Sequence, residues 1–192
     1  MLFHRQRLLL ALLEALDGEA GRTDFQKLLF LMTRGQKVPS YDFVPYKFGC
    51  YSFTAAADQR KLVERGLMVS DEAGLRIGGT TVEVDLVVKR KAREFVRRHP
   101  ERGQDLVKKV YERYPHTAWR SEILDSVITD GEVRAKIEAA RPSANGAGLS
   151  TIGYEGKSLE SYLNKLLTWK SHKRETLGVA NSRKLLMVRL LG

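Results

Sequence analysis

The sequence predicts an α+β protein that is mostly helical. Apolar residues recur at three- and four-residue spacing along much of residues 4–141, which is the pattern of amphipathic helices. Residues 67–77 instead form two short apolar segments around a turn at 71–74, which is typical of a β-hairpin. The composition, 43% hydrophobic and 29% charged, is that of an ordinary globular protein.

The N-terminal part has the element order of a winged helix. We expect a first helix at 4–16, a second at 24–34 and a third at 52–66. Thr23 is predicted to cap the second helix, with Gln26 as its capping-box partner. Because the hairpin follows these three helices, we expect a winged-helix-like N-terminal region whose third helix would be the recognition helix.

A helical extension and a second segment follow. Further helices are expected near 83–98, 102–114, 117–128 and 131–141. We therefore divide the chain into a winged-helix-like helical domain, a linker and an incomplete βα fragment with a basic tail, at 1–141, 142–148 and 149–192. The linker assignment depends on its small and turn-forming residues.

The charge of the chain points to a polyanionic partner. The formal net charge is +10 and the pI is about 9.8. This balance favours nucleic acid, and DNA over RNA, although a generally basic protein without such a partner has the same composition. Residues 155–192 carry 8 basic and 3 acidic side chains, which is half of the excess.

The third helix and the hairpin supply the first candidate DNA contacts. Thr54, Asp58, Lys61 and Arg65 are spaced to share one face of the third helix, with Phe53, Ala56, Ala57 and Val63 mostly on the other. Polar and basic side chains on a recognition helix reach base edges and phosphates. Asp58 favours a solvated face instead, because phosphates repel a carboxylate. Arg76 on the hairpin is a candidate wing contact to phosphate.

The densest basic segment lies at 89–98. On a helix, Lys89, Arg93 and Arg97 would align, with Arg90 beside them, while Ala92, Phe95 and Val96 face inward. Such a stripe would neutralise several phosphates, and binding would then weaken steeply with salt. A solvated helix face is the alternative.

An aromatic segment precedes the third helix. Its rings alternate along the chain at Tyr41, Phe43, Tyr46, Phe48, Tyr51 and Phe53. They would form the core under a turn, a stacking platform for single-stranded nucleic acid, or a groove for a partner peptide. For the partner-binding alternative the candidate residues are Tyr46, Phe48 and Tyr51.

The sequence offers no catalytic or metal-binding constellation. Its four histidines lie far apart, and Cys50 is the only cysteine. We expect no cofactor, no metal and no catalytic residue, and a reducing, cytoplasmic location without membrane insertion. The turn at 153–156, which precedes a helix, is a weaker candidate for anion binding.

Residues 23–67 resemble the Panacea family, the antitoxin-associated domain. The matching segments are FQKLLF at 25–30, FVPYKFG at 43–49 and LVERGL at 62–67. The resemblance implies a mainly helical fold and a role as a toxin-neutralising protein or an adaptor. Many members have proline after the glycine that corresponds to Gly49, whereas this chain has Cys50.

Residues 149–167 resemble the start of the domain-of-unknown-function 488 family. The matching segments are TIGY at 151–154 and SLE at 158–160, which read as a strand and a capped helix. Members continue with a second strand carrying Asp-Val-Arg, which this chain lacks, so a truncated or frame-altered C-terminal end is one interpretation. A genuine divergent tail that docks as a helix is the other.

Three functional hypotheses follow. The first is a non-enzymatic, nucleic-acid-binding regulatory or defence-associated protein. The second is an antitoxin-like adaptor that grips a protein partner through the aromatic segment. The third is a truncated form of an enzyme whose active site lay in the missing part of the second domain. Because winged helices often act in pairs, a homodimer is a candidate assembly.

Overall fold

The computed structural model describes residues 2–141, together with residues 158, 160–162 and 164. It is a mixed α+β structure, mainly helical, with small antiparallel sheets. The helices are α1 His4–Ala15, α2 Arg22–Arg34, α3 Phe53–Glu64, α4 Leu86–Arg98, α5 Gly103–Arg113, α6 Leu124–Val127 and α7 Gly131–Ala139. The strands are β1 Glu19–Ala20, β2 Val44–Tyr46, β3 Gly49–Tyr51, β4 Met68–Asp71 and β5 Gly74–Ile77.

A three-stranded antiparallel sheet has the order β1-β5-β4. The predicted hairpin is present as β4 and β5, with Asp71 opposite Gly74. The short strand β1 pairs with the outer side of β5, where Ala20 lies opposite Leu75. Gly74 permits this approach, because a Cβ atom there would come within 2.4 Å of the Ala20 carbonyl oxygen.

A second hairpin, β2–β3, lies between α2 and α3. Val44 pairs with Tyr51 and Tyr46 pairs with Gly49. The Glu122 amide donates to the Lys47 carbonyl at 2.8 Å, which holds the hairpin against the segment before α6. The aromatic segment is therefore folded back on itself and supported from a distant part of the chain.

The core forms around α1, which packs against α2, α3 and α4. Its leucines are almost completely buried, as are the apolar faces of α2 and α5. In α5, Leu106, Val107, Val110 and Tyr111 form the buried stripe that the helical spacing predicts. The Phe30 ring packs edge-on against Phe43, with 5.2 Å between the ring centroids.

Most predicted helices are present, with three corrections. The expected helix at 117–128 is wrong: a 3-10 turn at Pro115–Thr117 and the short α6 replace it. Thr23 does not cap α2, because that helix begins at Arg22 after Gly21. Gln26 instead uses its side-chain oxygen to accept the Ser52 amide at 3.1 Å, which links α2 to the start of α3.

The predicted linker 142–148, the strand and turn at 149–157 and the tail from 165 lie outside the described residues. Between the last two of these segments, residues 160–162 and 164 are helical. Ser158 caps this turn, since its hydroxyl oxygen accepts the Ser161 amide at 3.1 Å. Across the portion that the structure describes, the helices are all too short or too polar to cross a bilayer.

Candidate nucleic-acid interface

The inward face of α3 differs from the predicted one. Ala55, Asp58 and Leu62 are buried, whereas Phe53 is 53% exposed. The spacing predicted that Asp58 shares an exposed face with Lys61 and Arg65. This prediction is wrong, because Asp58 is buried. The α3 face that meets solvent therefore lacks this carboxylate.

Asp58 turns inward because α1 and the loop before β2 supply its partners. Its carboxylate accepts from Arg5 Nε at 2.6 Å, Gln6 Nε2 at 3.0 Å and Tyr41 Oη at 3.2 Å. Burial alone would raise the pKa of Asp58, but these three hydrogen bonds outweigh it and lower the pKa. Asp58 is a charged structural group that joins α3 to α1.

The remaining α3 candidates lie at opposite ends of the helix. Ser52 caps the helix by accepting the Ala55 amide at 3.1 Å. Thr54, near the start, is half-buried, whereas Lys61 and Arg65 at the other end are exposed. The C-terminal end of the helix thus presents Lys61 and Arg65 to solvent, with the exposed Glu64 between them in sequence.

Arg76 on the predicted wing is already engaged. Its guanidinium forms an ion pair with Asp71 across the β4–β5 hairpin. The hydrogen bond from Arg76 lowers the pKa of Asp71. Glu72 at the tip is also exposed. The hairpin therefore carries two carboxylates beside its arginine, which makes it a poor phosphate contact.

The basic stripe on α4 divides into a paired and an unpaired part. Lys89 Nζ lies 2.8 Å from Glu14 Oε2 of α1, and both side chains are partly buried. Arg90, Arg93 and Arg97 are exposed, and within the described chain they form no ion pair. Ala92 and Phe95 are buried and Val96 is partly buried, as the helical spacing predicts.

The α3 and α4 candidates are attached to different parts of α1. Asp58 of α3 binds Arg5 near the start of α1, whereas Lys89 of α4 binds Glu14 near the end of α1. These two anchors are nine positions apart along the helix, a distance of roughly 14 Å. The structure thus holds the two basic segments on a common rigid support.

The aromatic segment is divided between core and surface. Tyr41 and Phe43 are buried. Tyr46, Tyr51 and Phe53 form a cluster with centroid separations of 4.9 to 5.4 Å. We define the aromatic patch as these three rings and Phe48. Tyr46, Phe48 and Phe53 are exposed, and burial raises the pKa of the half-buried Tyr51.

Lys27 holds the backbone of this patch in place, although its position in the sequence was not among the predicted functional residues. Its side chain is 1% exposed, and its amine donates to the carbonyl oxygens of Phe48 and Cys50, the latter at 3.2 Å. Burial lowers the pKa of Lys27. A lysine within the apolar face of α2 is the signal that could have revealed it.

Gly49 is required at the turn beside Lys27. Its φ is +84°, and a Cβ atom there would lie 2.4 Å from Cε1 of Tyr111. The hairpin therefore packs directly against α5. Tyr111 is fixed in turn by a 2.6 Å hydrogen bond between its hydroxyl and that of Ser121.

The only cysteine lies in an environment that disfavours thiol chemistry. Cys50 is fully buried, and burial raises the pKa of its thiol, which disfavours the reactive thiolate. Among these residues, the acidic, histidine and cysteine side chains form no group of three that could hold a metal ion. The candidate anion-binding turn at 153–156 lies outside the described part.

Comparison with known proteins gives no match to this chain from a protein-family model, a curated protein or a solved structure.

Proposed function

We propose that the protein is a non-catalytic nucleic-acid-binding protein, with duplex DNA as its principal ligand, in a regulatory or defence-associated role. The observation that carries the proposal is the exposed face of α4. This face carries Arg90, Arg93 and Arg97, and the opposite face of the helix packs against α1. Among the residues that the structure describes, these three cations form no ion pair, and such a cluster lowers the cost of bringing phosphates close.

The element order supports a winged-helix interpretation of the same region. Three helices, the short strand β1 and the β4–β5 hairpin occur in the order that this motif requires, and β1 completes a sheet of order β1-β5-β4. In this interpretation α3 enters the major groove. The burial of Asp58 favours this interpretation, because its carboxylate would not face the phosphates of bound DNA.

Charge reversal on α4 tests this proposal. Arg93→Glu should weaken binding of a labelled DNA duplex and reduce the slope of log affinity against log salt by about one. Lys136→Glu is the matched control, because Lys136 is an exposed cation on α7 and the charge change is identical. Fluorescence anisotropy measures both, and equal weakening would refute a specific role for α4.

A second candidate function is supported by the aromatic patch. Exposed rings that contact one another, with Phe48 held at a turn by Lys27, resemble the aromatic anchors of protein interfaces. We propose as the alternative that the protein is an antitoxin-like adaptor whose partner packs on Tyr46, Phe48 and Tyr51. This role does not need DNA.

Salt dependence separates the two functions. The full chain, immobilised, should retain a partner at high salt, and Phe48→Ala should release it. Val69→Ala, which shortens an exposed apolar side chain on β4, is the control. Retention by Phe48→Ala at the wild-type level would exclude the aromatic patch as the partner site.

A further inference from the structure

A cleft of about 1230 Å³ opens on the side of α4 away from Arg93 and Arg97. The start of α1, the end of α2 with loop 35–40, α4 and the end of α5 form its walls. Leu8, Met32 and Phe95 line it as largely buried residues, and the exposed side chains of Phe3, Val38 and Val87 contribute apolar surface to it. It is separate from the surface to which we assign DNA.

Positive charge dominates the lining of this cleft. Arg5, Arg34, Lys37, Lys91, Arg98 and Arg113 line it, and Glu94 is the acidic residue among the lining residues that the structure describes. Arg5 is held by Asp58. Lys37 and Lys91 are exposed and form no ion pair within that part of the chain. An apolar floor with a cationic rim calls for a ligand that is apolar on one side and acidic on the other.

The chain itself places one carboxylate at this rim. The side chain of Glu160 forms an ion pair with Arg34, and it is only 16% exposed. Glu160 belongs to the helical turn that Ser158 caps. A helical segment carrying an acidic side chain is therefore already seated against one of the rim arginines.

We propose that the cleft binds an acidic amphipathic helix of a partner protein, with its apolar side on the floor and its carboxylates on the cationic rim. The volume is above the range of about 300–1000 Å³ common for small-molecule sites. It is close to that of a three-turn helix about 10 Å across. The partner helix competes with Glu160 for Arg34.

The apolar floor favours a helix over nucleic acid. A phosphate backbone would satisfy the rim but would leave the exposed side chains of Phe3, Val38 and Val87 against a charged ligand. Grooves of this kind take an amphipathic helix through apolar anchors at three- and four-residue spacing. The two ligands also use different flanks of α4, Lys91 and Arg98 for the helix and Arg93 and Arg97 for DNA.

The test uses the full chain and a fluorescein-labelled peptide of two heptads, with leucine at the a and d positions and glutamate elsewhere. One control peptide has glutamine in place of glutamate, and another has serine in place of leucine. Fluorescence anisotropy should show the acidic leucine peptide binding at least about tenfold more tightly than either control. Binding that is equal for the acidic leucine and serine peptides would overturn the proposal.

Two pairs of substitutions on the same helix provide the decisive comparison. The double variant Lys91→Glu/Arg98→Glu should weaken peptide binding about tenfold or more. The double variant Arg93→Glu/Arg97→Glu carries the same charge change outside the cleft and should leave peptide binding almost unchanged. Similar losses in both would mean non-specific attraction and would overturn the proposal. This outcome is independent of whether DNA binds.

Two further measurements guard the result. Lys37→Glu changes the loop 35–40 instead of α4 and should also weaken peptide binding. A loss of binding in this variant cannot be caused by misfolding of α4 in the double variant. Glu160→Gln should tighten peptide binding, because it releases Arg34. A single-stranded oligonucleotide that displaces the peptide, and whose own binding is lost in Lys91→Glu/Arg98→Glu, would assign the cleft to nucleic acid and refute the proposal.

Discussion

Asp58 of α3 accepts a 2.6 Å hydrogen bond from Nε of Arg5 in α1, and this ion pair fixes the orientation of the candidate recognition helix. Arg5 is 40% exposed at its side chain, whereas that of Asp58 is 2% exposed. The carboxylate is thus shielded by Arg5 on one side and by Gln6 and Tyr41 on the other. Burial first, and then the negative charge of Asp58, raise the pKa of Tyr41, which keeps its hydroxyl a donor.

Asp58→Ala should lower the free energy of unfolding by about 2–3 kcal/mol. Removing one partner of a buried pair costs more than the pair itself contributes, because the others lose their hydrogen bonds. Partial exposure of Arg5 keeps the loss below that of a fully buried pair. Urea unfolding measures it. Asp125→Ala, at an 85% exposed side chain, is the control and should change stability by less than about 0.5 kcal/mol.

Acid should remove the same contribution. The pKa of Asp58 is lowered in the folded state, so its stabilisation is present above the unfolded pKa of about 3.9 and lost as pH falls through the folded value. The difference in unfolding free energy between wild type and Asp58→Asn should therefore be constant near neutrality and shrink in acid. A difference that grows on acidification would contradict the ion pair.

Lys27→Met should loosen the β2–β3 hairpin. Methionine fits the space but donates nothing to the carbonyl oxygens of Phe48 and Cys50. We expect a loss of about 1–2 kcal/mol in stability, together with faster amide exchange in the hairpin. Lys136→Met, at an exposed lysine, should have little effect on either measurement. Unchanged exchange in the Lys27 variant would show that other contacts hold the hairpin.

Gly49→Ala should be far more harmful than Gly79→Ala. At Gly49 the φ is +84° and the new Cβ atom would meet the Tyr111 ring, whereas at Gly79 nothing lies within 4 Å. The first change should cost at least about 2 kcal/mol from strain and overpacking, and the second less than about 1 kcal/mol. Thermal unfolding of the two variants is a direct comparison, and equal shifts would argue against close packing of the hairpin on α5.

The sequence predicts those elements whose signal is local. Helical spacing locates α1, α2, α3, α4, α5 and α7 to within a few residues, and the β4–β5 hairpin follows from its turn. The strand β1 has only two residues and exists because β5 lies beside it, so no local pattern predicts it. The helix predicted at 117–128 is absent for a similar reason, because it depends on contacts with distant residues. Ser121 binds Tyr111 and Glu122 binds Lys47, and these contacts are incompatible with a continuous helix there.

The sequence predicts the candidate site correctly where the exposure of each side chain depends only on its position around a helix. On α4 the exposed arginines and the buried Ala92 and Phe95 follow from spacing alone. On α3 the spacing misplaces Asp58, because a carboxylate is expected in solvent unless its partners are known. Those partners, Arg5, Gln6 and Tyr41, lie 17 to 53 residues away in the sequence.

The salt dependence of DNA binding by the full chain tests the central claim most directly. Labelled duplex and single-stranded DNA are titrated at increasing salt, with Arg90→Gln/Arg93→Gln/Arg97→Gln alongside wild type. We expect the duplex to bind more tightly than the single strand, with a steep negative salt slope that becomes shallower by about 2–3 in the variant, at close to 0.9 per phosphate contact. An unchanged slope in the variant, or no duplex binding even at low salt, would contradict the account.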